Sequence, residues 1–286
     1  MSVIVRPLAT DELALAQSIA RAAYQSTMDY EPALRRLMVL QPGGWFLALF
    51  DGAPAGLVGV INYGPFAYVG LMSVLPEMQR RGIGRALLVR VLAWLEEQSC
   101  PTVLLDASEA GAALYAQLAF VDDDQTAHWR RSAALFPSPL YGHVEQLITA
   151  LDLADLPALT AFDAPYFGAG RASVFVRFLW ECPGRAFVAR DASGQITGYL
   201  FARTGQLGPW VARDGAAAEA LLLQALALPF DRDVSVLASV TNSEASVLLE
   251  RYGFSRYRVL RHMRYGQPAL FRRRSAIYGQ VSFALG

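Results

Sequence analysis

The residues with the clearest capacity for chemistry form a short glycine-bearing segment, residues 79–86. Gln79, Gly82 and Gly84 follow the spacing Q-x-x-G-x-G, between a predicted strand that Pro76 stops and a predicted helix. Backbone N–H groups of such a loop converge at the positive end of the helix, which suits a pyrophosphate. Glycine has no Cβ, so the backbone can bend there and phosphates can approach it closely.

Three arginines flank these glycines, namely Arg80, Arg81 and Arg85. Their guanidinium groups add positive charge and can meet phosphate oxygens through two parallel hydrogen bonds. Taken alone, the glycine pattern also fits an ordinary strand-turn-helix with solvated arginines. The segment therefore indicates a phosphate site only if a second motif supports it.

The second motif lies downstream, where residues 104–108 (LLDAS) read as a strand and residues 114–120 (LYAQLAF) as a helix. Together with the Q-x-x-G-x-G loop, these segments resemble the two signatures of the GCN5-related N-acetyltransferase (GNAT) superfamily. The resemblance covers residues 68–120. It implies an α/β fold class, with a mixed and mostly antiparallel sheet flanked by helices, and acetyl-CoA as co-substrate.

The resemblance also implies roles for individual residues. In this superfamily the strand before the loop pairs with the pantetheine arm and directs an N–H at the thioester oxygen, which maps to Met72, Ser73 and Val74. Tyr115 takes the position of the usual acid, whose pKa of about 10 lies near that of a thiol. The remaining implied cofactor-binding residues are Gln79, Arg80, Arg81, Gly82, Ile83, Gly84, Arg85, Ala86, Ser108 and Ala112, with Ser108 standing where relatives often have Asn.

The general base stays open at this point. Asp106, at the end of a predicted strand, is the preferred catalytic candidate, and its alternative role is to cap the next helix. Other carboxylates near the expected cleft are Asp29, Glu31 and Glu77, and a water chain could replace them all. The aromatic residues expected either to line the acceptor pocket or to pack in the core are Tyr24, Tyr30, Tyr63 and Tyr68.

An internal repeat divides the chain. Residues 109–120 (EAGAALYAQLAF) and 243–254 (SEASVLLERYGF) both read as helices that end before a Phe, and the same spacing relates His128 to His262. We expect two tandem domains, 1–136 and 142–286. The predicted linker is Pro137-Ser138-Pro139, and the second domain carries a tail that includes the segment FRRR, 271–274.

The second repeat departs from the catalytic pattern. Leu249 stands at the position of Tyr115, and the segment 212–217 lacks the Q-x-x-G-x-G spacing. Asp214 stands where phosphate would lie, and its carboxylate would repel an anion. Asn242 restores the usual Asn, so a residual pocket is conceivable. We expect a degenerate domain with a structural, dimerising or acceptor-shaping role.

Composition excludes several function classes. The chain has 25 positive and 25 negative residues, and every positive residue is Arg, so enzymes that need Lys, such as P-loop NTPases and Schiff-base enzymes, are excluded. A net charge of zero gives no reason to expect nucleic acid or a membrane as partner. The apolar runs are too short to span a membrane, and we expect a soluble cytoplasmic protein. Cys100 and Cys182 lack metal-ligand spacing, so no metal is expected.

These observations lead to two hypotheses. The first is an acetyl-CoA-dependent N-acetyltransferase whose first domain acts on a small-molecule amine by direct attack on the thioester. The second is a non-catalytic acyl-CoA binding or sensing protein, in which the second domain carries a ligand or partner surface. The oligomeric state is open, and a homodimer is one candidate because exposed β edges often pair.

Overall fold

The polypeptide alternates strands and helices in two compact units. The computed structural model describes residues 2–136, 147–268 and 272–286. Unit 1 contains Met1–Val121, Met263–Pro268 and Phe283–Gly286, and unit 2 contains Asp122–His262 and Ala269–Ser282. The predicted linker at 137–139 and the first residue of the FRRR segment lie outside the described residues.

Unit 1 is built on a mixed sheet in the order β1-β2-β3-β4-β5. All neighbours are antiparallel except β4 and β5, which are parallel, so the predicted mixed and mostly antiparallel α/β architecture is confirmed. The strands are β1 (Val3–Pro7), β2 (Trp45–Phe50), β3 (Ala53–Asn62), β4 (Ala67–Val74) and β5 (Thr102–Ala107). The helices are α1 (Leu13–Tyr24), α2 (Glu31–Leu40), α3 (Ile83–Glu97) and α4 (Glu109–Ala116).

Strands β2 and β3 form the hairpin that their turn residues predict. Asp51 and Gly52 are the two loop residues, with φ of 47° and 83°. A two-residue loop with positive φ at both positions matches the right-handed twist of the flanking strands. Asp and Gly are favoured there because Gly has no Cβ and Asp tolerates the left-handed region.

Helix α3 packs on one face of this sheet through a stripe of aliphatic side chains. Ile83, Leu87, Leu88, Val91 and Leu95 recur at helical spacing and are buried. Each buried aliphatic side chain of this kind stabilises the fold by about 2 kcal/mol through removal of apolar area from water. The stripe therefore holds the N-terminus of α3 in a fixed position at the end of β4.

Strands β4 and β5 separate after two paired positions. Their parallel ladder joins Ala67 with Val103 and Tyr68 with Leu104 and, within these two fully described strands, ends there. Further along β4, Leu71 has φ of 51°, and one extra residue interrupts the register with β3. Such a bulge bends its strand. We call the gap between residues 69–74 of β4 and residues 105–107 of β5 the β4–β5 wedge.

Unit 2 repeats the same plan, with the strand order β12-β6-β11-β10-β9-β8-β7 and with β13 paired to β10. Its strands are β6 (Val121–Arg131), β7 (Leu147–Ala150), β8 (Ala186–Arg190), β9 (Ile196–Arg203), β10 (Gln206–Ala212), β11 (Val234–Ser239), β12 (Ser255–Gly266) and β13 (Ile277–Gly279). Its helices are α5 (Leu156–Phe167), α6 (Ala172–Glu181), α7 (Gly215–Leu226) and α8 (Ser243–Arg251).

The sequence repeat and the compact units group the chain differently. Strand β6, at the end of the first repeat, pairs residue by residue with β11 and belongs to unit 2 apart from its first residue. The end of the second repeat, Met263–Pro268, belongs to unit 1. The predicted boundary between 136 and 142 falls at the edge of residues that the structure does not describe, and it stays a prediction.

Helices in the described part of the chain are too short or too polar to cross a membrane.

Candidate active site

The glycine-bearing loop leads from the end of β4 into α3. Residues 76–78 form a short 3₁₀ turn, and the side-chain amide of Gln79 then donates a 3.4 Å hydrogen bond to the carbonyl oxygen of Val74. Arg80 and Gly82 have φ of 60° and 82°, both in the left-handed region. Left-handed residues interspersed among right-handed ones turn successive N–H groups toward a common centre, which makes an anion-binding nest.

Gly82 and Gly84 are glycines for different reasons. A Cβ at Gly82 would meet no atom within 4 Å, so the positive φ, rather than lack of space, favours glycine there. A Cβ at Gly84 would lie 3.0 Å from Cδ2 of Leu114. Gly84 already lies within α3, so it permits the close approach of α4 rather than bending the loop.

The N-terminus of α3 is open toward the loop. Its N-cap residue, Gly82, carries no side chain, and no side chain of the described residues caps the helix. The first N–H groups of a helix have no partner within it, and its positive end attracts anions. The side chain of Ile83 is buried, so a contact from this residue must come from its backbone. The N–H of Ala86 already donates to the carbonyl oxygen of Gly82 at 3.0 Å, which removes it as a donor to phosphate.

The three predicted phosphate-binding arginines surround this helix start. Arg80, Arg81 and Arg85 are exposed, and the Arg81 guanidinium lies 5.3 Å from the ring centroid of Phe50. Exposed guanidinium groups near a helix N-terminus raise the local positive potential and remain able to reorient toward a ligand. The loop thus combines backbone donors with mobile positive charge.

The C-terminal half of β4 presents backbone groups to the β4–β5 wedge. The carbonyl oxygen of Met72 accepts a 3.0 Å hydrogen bond from the Tyr24 phenol, and that of Val74 accepts from Gln79. Because backbone groups alternate between the two edges of a strand, the N–H groups of Met72 and Val74 face the same edge. The side chain of Ser73 is buried and donates to the carbonyl oxygen of Leu71 at 3.0 Å, so it serves the bulge.

Tyr115 reaches the wedge from α4. Its side chain is buried in the cluster that includes Ile83, Ala107 and Ala112, and its ring centroid lies 5.8 Å from that of Phe120. Burial raises the pKa of the Tyr115 phenol, and the nearby Tyr24 phenol raises it further. The expected match between this pKa and that of a thiol, about 8.5, is therefore wrong. The phenol therefore stays neutral and keeps its proton.

Asp106 accepts a hydrogen bond from the phenol of Tyr68. Tyr68 is fully buried and lies at the last paired position before the wedge, whereas Asp106 is half-buried. Neighbouring residues Leu105 and Ala107 share the cluster of Tyr115. Because side chains alternate across a strand, Asp106 and Tyr115 lie on opposite faces of the sheet. The structure thus does not place the two predicted catalytic residues side by side.

The start of α4 uses Ser108 as its N-cap. The Ser108 hydroxyl accepts a 3.3 Å hydrogen bond from the N–H of Gly111. Such a cap satisfies one of the unpaired N–H groups of the helix start. Ser108 is exposed at this position, while Ala112 is buried one turn further along the helix. The predicted contact of both residues with pantetheine stays a prediction.

Two of the other candidate carboxylates have structural partners. Glu31 forms an exposed ion pair with Arg35 at 2.8 Å, and Asp29 accepts from the N–H of Glu31 at 3.1 Å. Glu77 is exposed on the 3₁₀ turn before the loop. Among the predicted pocket tyrosines, Tyr63 donates to the carbonyl oxygen of Leu285 at 2.8 Å. Tyr24 contacts Met72 and Tyr68 contacts Asp106 at the wedge.

Two features of the site could not be predicted from the sequence. The bulge at Leu71 has no side-chain signal, although Gly70 before it is a residue type that often marks a bulge. A Cβ at Gly70 would lie 2.4 Å from Cα of Ala284, so the residues 283–286 pack against β4 beside the bulge. This second contact joins residues that are far apart in sequence, and no local pattern indicates it.

Within the part of the chain that the structure describes, no group of three His, Cys, Asp or Glu side chains is arranged to hold a metal ion. The two equivalent histidines take part in polar contacts of unit 2. His128 Nε2 lies 3.0 Å from the hydroxyl of Ser235, and His262 Nε2 lies 3.3 Å from the guanidinium of Arg274. The expectation that the reaction needs no metal stays a prediction.

Comparison with known proteins identifies relatives along the whole chain. The chain is 24% identical over 171 residues to YitH of Bacillus subtilis (strain 168), described as an uncharacterized N-acetyltransferase, and the match covers 60% of this chain and 58% of YitH. A structure assigned as an acetyltransferase from Pyrococcus horikoshii aligns with a TM-score of 0.85 and 25% identity, covering 99% of this chain and 96% of that one. A tandem GNAT protein from the clavulanic acid biosynthesis pathway aligns with a TM-score of 0.66 and 17% identity, covering 93% of this chain and 99% of that one.

Both repeats also match acetyltransferase family models. Residues 11–120 match the acetyltransferase (GNAT) family, and residues 159–279 match an acetyltransferase (GNAT) domain. The second repeat is therefore still a GNAT domain, and its predicted degeneracy stays a prediction. The first matched range contains the loop, the wedge and Tyr115. On this evidence the chain belongs to the GNAT acetyltransferase family, as a member with two tandem domains and acyl-CoA as the co-substrate that the family implies.

Proposed function

We propose that unit 1 transfers an acetyl group from acetyl-CoA to the amine of a small molecule, by direct attack on the thioester. The observation that carries the proposal is the β4–β5 wedge. It opens after the Tyr68–Leu104 pair and runs beside an α3 N-terminus that no described side chain caps. A wedge at the carboxyl ends of parallel strands is a favoured place for a ligand.

The loop suits the pyrophosphate of the co-substrate. Its donors are backbone N–H groups of residues 80–85, and its positive charge comes from the three arginines at 80, 81 and 85. The edge of β4 at Met72 and Val74 suits the amide groups of the pantetheine arm. An N–H at this edge can stabilise the negative charge that develops on the thioester oxygen.

Two side chains on opposite faces suit the two proton transfers. The amine must lose a proton as it attacks, whereas the departing sulfur must gain a hydrogen bond or a proton. Tyr115 is the proposed donor to the sulfur, because its buried phenol stays neutral. Asp106, held by Tyr68, is the proposed acceptor on the other face, acting directly or through water.

A thiol-release assay over a panel of small amines tests the proposal, with Tyr115→Phe and Tyr265→Phe compared to the wild type. The Tyr265 ring also packs against Phe120, with ring centroids 5.4 Å apart, and Tyr265 has no proposed role in proton transfer, so it serves as a matched control. We expect Tyr115→Phe to lower kcat by about 10²-fold and Tyr265→Phe to leave it nearly unchanged. Equal activity of the wild type and Tyr115→Phe would contradict the assigned role.

The second candidate is a non-catalytic acyl-CoA binding or sensing protein. The observation that favours it is the use of Ser108 as a helix cap, in place of a contact with pantetheine. Tight binding of CoA without turnover of any amine would support this second function and contradict the first. The acceptor, the cytoplasmic localisation, the absence of nucleic-acid and membrane partners and the homodimer all stay predictions.

A further inference from the structure

Unit 2 contains the same kind of strand separation as unit 1. Strands β10 and β11 run parallel, with Gln206 paired to Ser235 and Leu207 to Val236, and then separate. In the repeat these strands correspond to β4 and β5. The gap between them therefore corresponds to the wedge where unit 1 is proposed to hold the pantetheine arm.

In unit 2 this gap is filled by the chain itself. Strand β13 pairs antiparallel with β10, joining Gly279 to Trp210 and Ile277 to Val211. On the other side, the N–H of Gln280 donates a 2.7 Å hydrogen bond to the carbonyl oxygen of Leu237 on β11. A peptide and a pantetheine arm both present amide groups to a strand edge. The segment 277–280 therefore uses the backbone groups that a pantetheine arm would need.

Side chains hold this segment in place. Tyr278 is buried, its ring centroid lies 5.2 Å from that of Trp210, and its phenol donates a 2.7 Å hydrogen bond to Glu244. The side-chain amide of Asn242 donates to the carbonyl oxygen of Ile277 at 3.3 Å. Asn242 is the residue that suggested a residual pocket in the second domain, and its amide here binds the tail instead.

The phosphate end of the second cleft carries negative rather than positive charge. The carboxylate of Asp214 caps α7 by accepting from the N–H of Ala217 at 2.9 Å, so it occupies the helix start. A cavity of about 280 Å³ beside it is lined by Glu219 and Glu244. Its lining arginine, Arg251, is paired with Glu219 at 2.9 Å. Carboxylates at these positions repel a diphosphate.

We propose that residues 277–280 are a built-in occupant of the acyl-CoA cleft of unit 2, so that each chain binds a single acyl-CoA molecule, in unit 1. The inference rests on the proposed function for the placement of that one molecule. In the second GNAT domain, a β-strand from the same chain then closes the co-substrate cleft. Binding of acyl-CoA in that cleft would require the segment to lose its hydrogen bonds to both β10 and β11.

Calorimetric titration of the full chain with CoA tests the inference. We compare the wild type with Gly82→Asp, Gly82→Asn and Val247→Asp. Asn tolerates the positive φ of residue 82 and matches Asp in size, so this pair isolates the charge. Val247 is exposed and lines the cavity of unit 2, so Val247→Asp adds a matched negative charge there.

The expected stoichiometry is one CoA for each wild-type chain. Gly82→Asp should weaken that site at least about tenfold relative to Gly82→Asn, and no second site should remain. Val247→Asp should change neither the affinity nor the stoichiometry. Circular dichroism verifies that each variant is folded. The inference would be overturned if each chain bound two CoA molecules. It would also be overturned if one full-affinity site survived in Gly82→Asp and was lost in Val247→Asp. In either case the thiol-release assay would still decide separately whether unit 1 is catalytic.

Hydrogen exchange gives a second readout that does not depend on any variant. The amide of Gln280 should exchange equally slowly with and without saturating CoA, because its bond to Leu237 persists. Faster exchange at residues 277–280 on addition of CoA would show displacement of the segment and would overturn the inference. No CoA binding by the wild type at all would contradict the proposed function itself.

Discussion

The phenol of Tyr24 donates a 3.0 Å hydrogen bond to the carbonyl oxygen of Met72, and this contact attaches the end of α1 to the open edge of β4. The same phenol lies close enough to Tyr115 to raise the pKa of its hydroxyl. Tyr24 therefore connects three elements that are separate in sequence: α1, the bulged strand β4 and α4, which carries the proposed acid.

Replacement of Tyr24 by Phe should impair use of the amine more than binding of CoA. Loss of the bond to Met72 releases the end of α1 from the wedge, and we expect kcat/KM for the amine to fall by about threefold to tenfold. The Kd for CoA should stay the same, because the phosphate loop is untouched. Steady-state kinetics and calorimetry measure the two quantities.

Tyr30→Phe is the matched control for Tyr24→Phe. The Tyr30 ring centroid lies 6.1 Å from that of Tyr24, so the substitution removes a hydroxyl from the same aromatic pair and keeps the Met72 contact. Equal losses in the two variants, or a loss of CoA affinity in Tyr24→Phe, would count against the assigned role of Tyr24.

The pH dependence of kcat should show no alkaline decline that belongs to Tyr115. Burial raises the pKa of this phenol above its ordinary value of about 10, so the donor stays protonated below that pH. Activity should rise as the amine acceptor loses its proton and should then stay level up to about pH 10. A decline near pH 8 to 9 in the wild type that disappears in Tyr115→Phe would contradict the burial argument.

The arginines at the loop should contribute to CoA affinity through charge. Single replacement of Arg80, Arg81 or Arg85 by Ala should raise the Kd for CoA about threefold to tenfold, and the wild-type Kd should rise with ionic strength. Arg35→Ala is the control, because Arg35 is also an exposed arginine of unit 1 but pairs with Glu31. If Arg35→Ala raised the Kd for CoA by a similar factor, the effect would come from the net charge of the protein rather than from the loop.

Gly70→Ala should destabilise unit 1 without altering the loop. The added Cβ would lie 2.4 Å from Cα and Cβ of Ala284, and this neighbour includes backbone, so residues 283–286 must move. We expect a loss of about 1–3 kcal/mol in the free energy of unfolding, measured by denaturant titration. Gly170→Ala, where a Cβ would meet no atom within 4 Å, is the control and should stay within about 0.5 kcal/mol of the wild type. Unchanged stability of Gly70→Ala would show that this packing contributes little.

Local features of the fold were predictable from the sequence. The Asp51-Gly52 hairpin and the buried stripe of α3 follow from turn chemistry and helical periodicity, which act over a few residues. The loop from Gln79 to Gly84 was predictable for the same reason. Its residues are adjacent in the chain and form one structural unit.

The features that complete the site depend on contacts between distant residues. Leu71 has no intrinsic preference for positive φ, so the bulge arises from the pairing of β4 with β3. The Tyr24–Met72 bond requires α1 to pack against β4. The pairing of β13 with β10 likewise joins segments far apart in sequence. The local sequence of Ile277–Gly279 does not indicate which strand it pairs with.

The most direct test is a crystal structure of the full chain grown with acetyl-CoA. We expect one molecule for each chain, with its pyrophosphate at the N–H groups at the start of α3 and its thioester between the edge of β4 and the phenol of Tyr115. Residues 277–280 should keep their place between β10 and β11. Acetyl-CoA bound away from the β4–β5 wedge, or in the cleft of unit 2 with residues 277–280 displaced, would contradict these expectations.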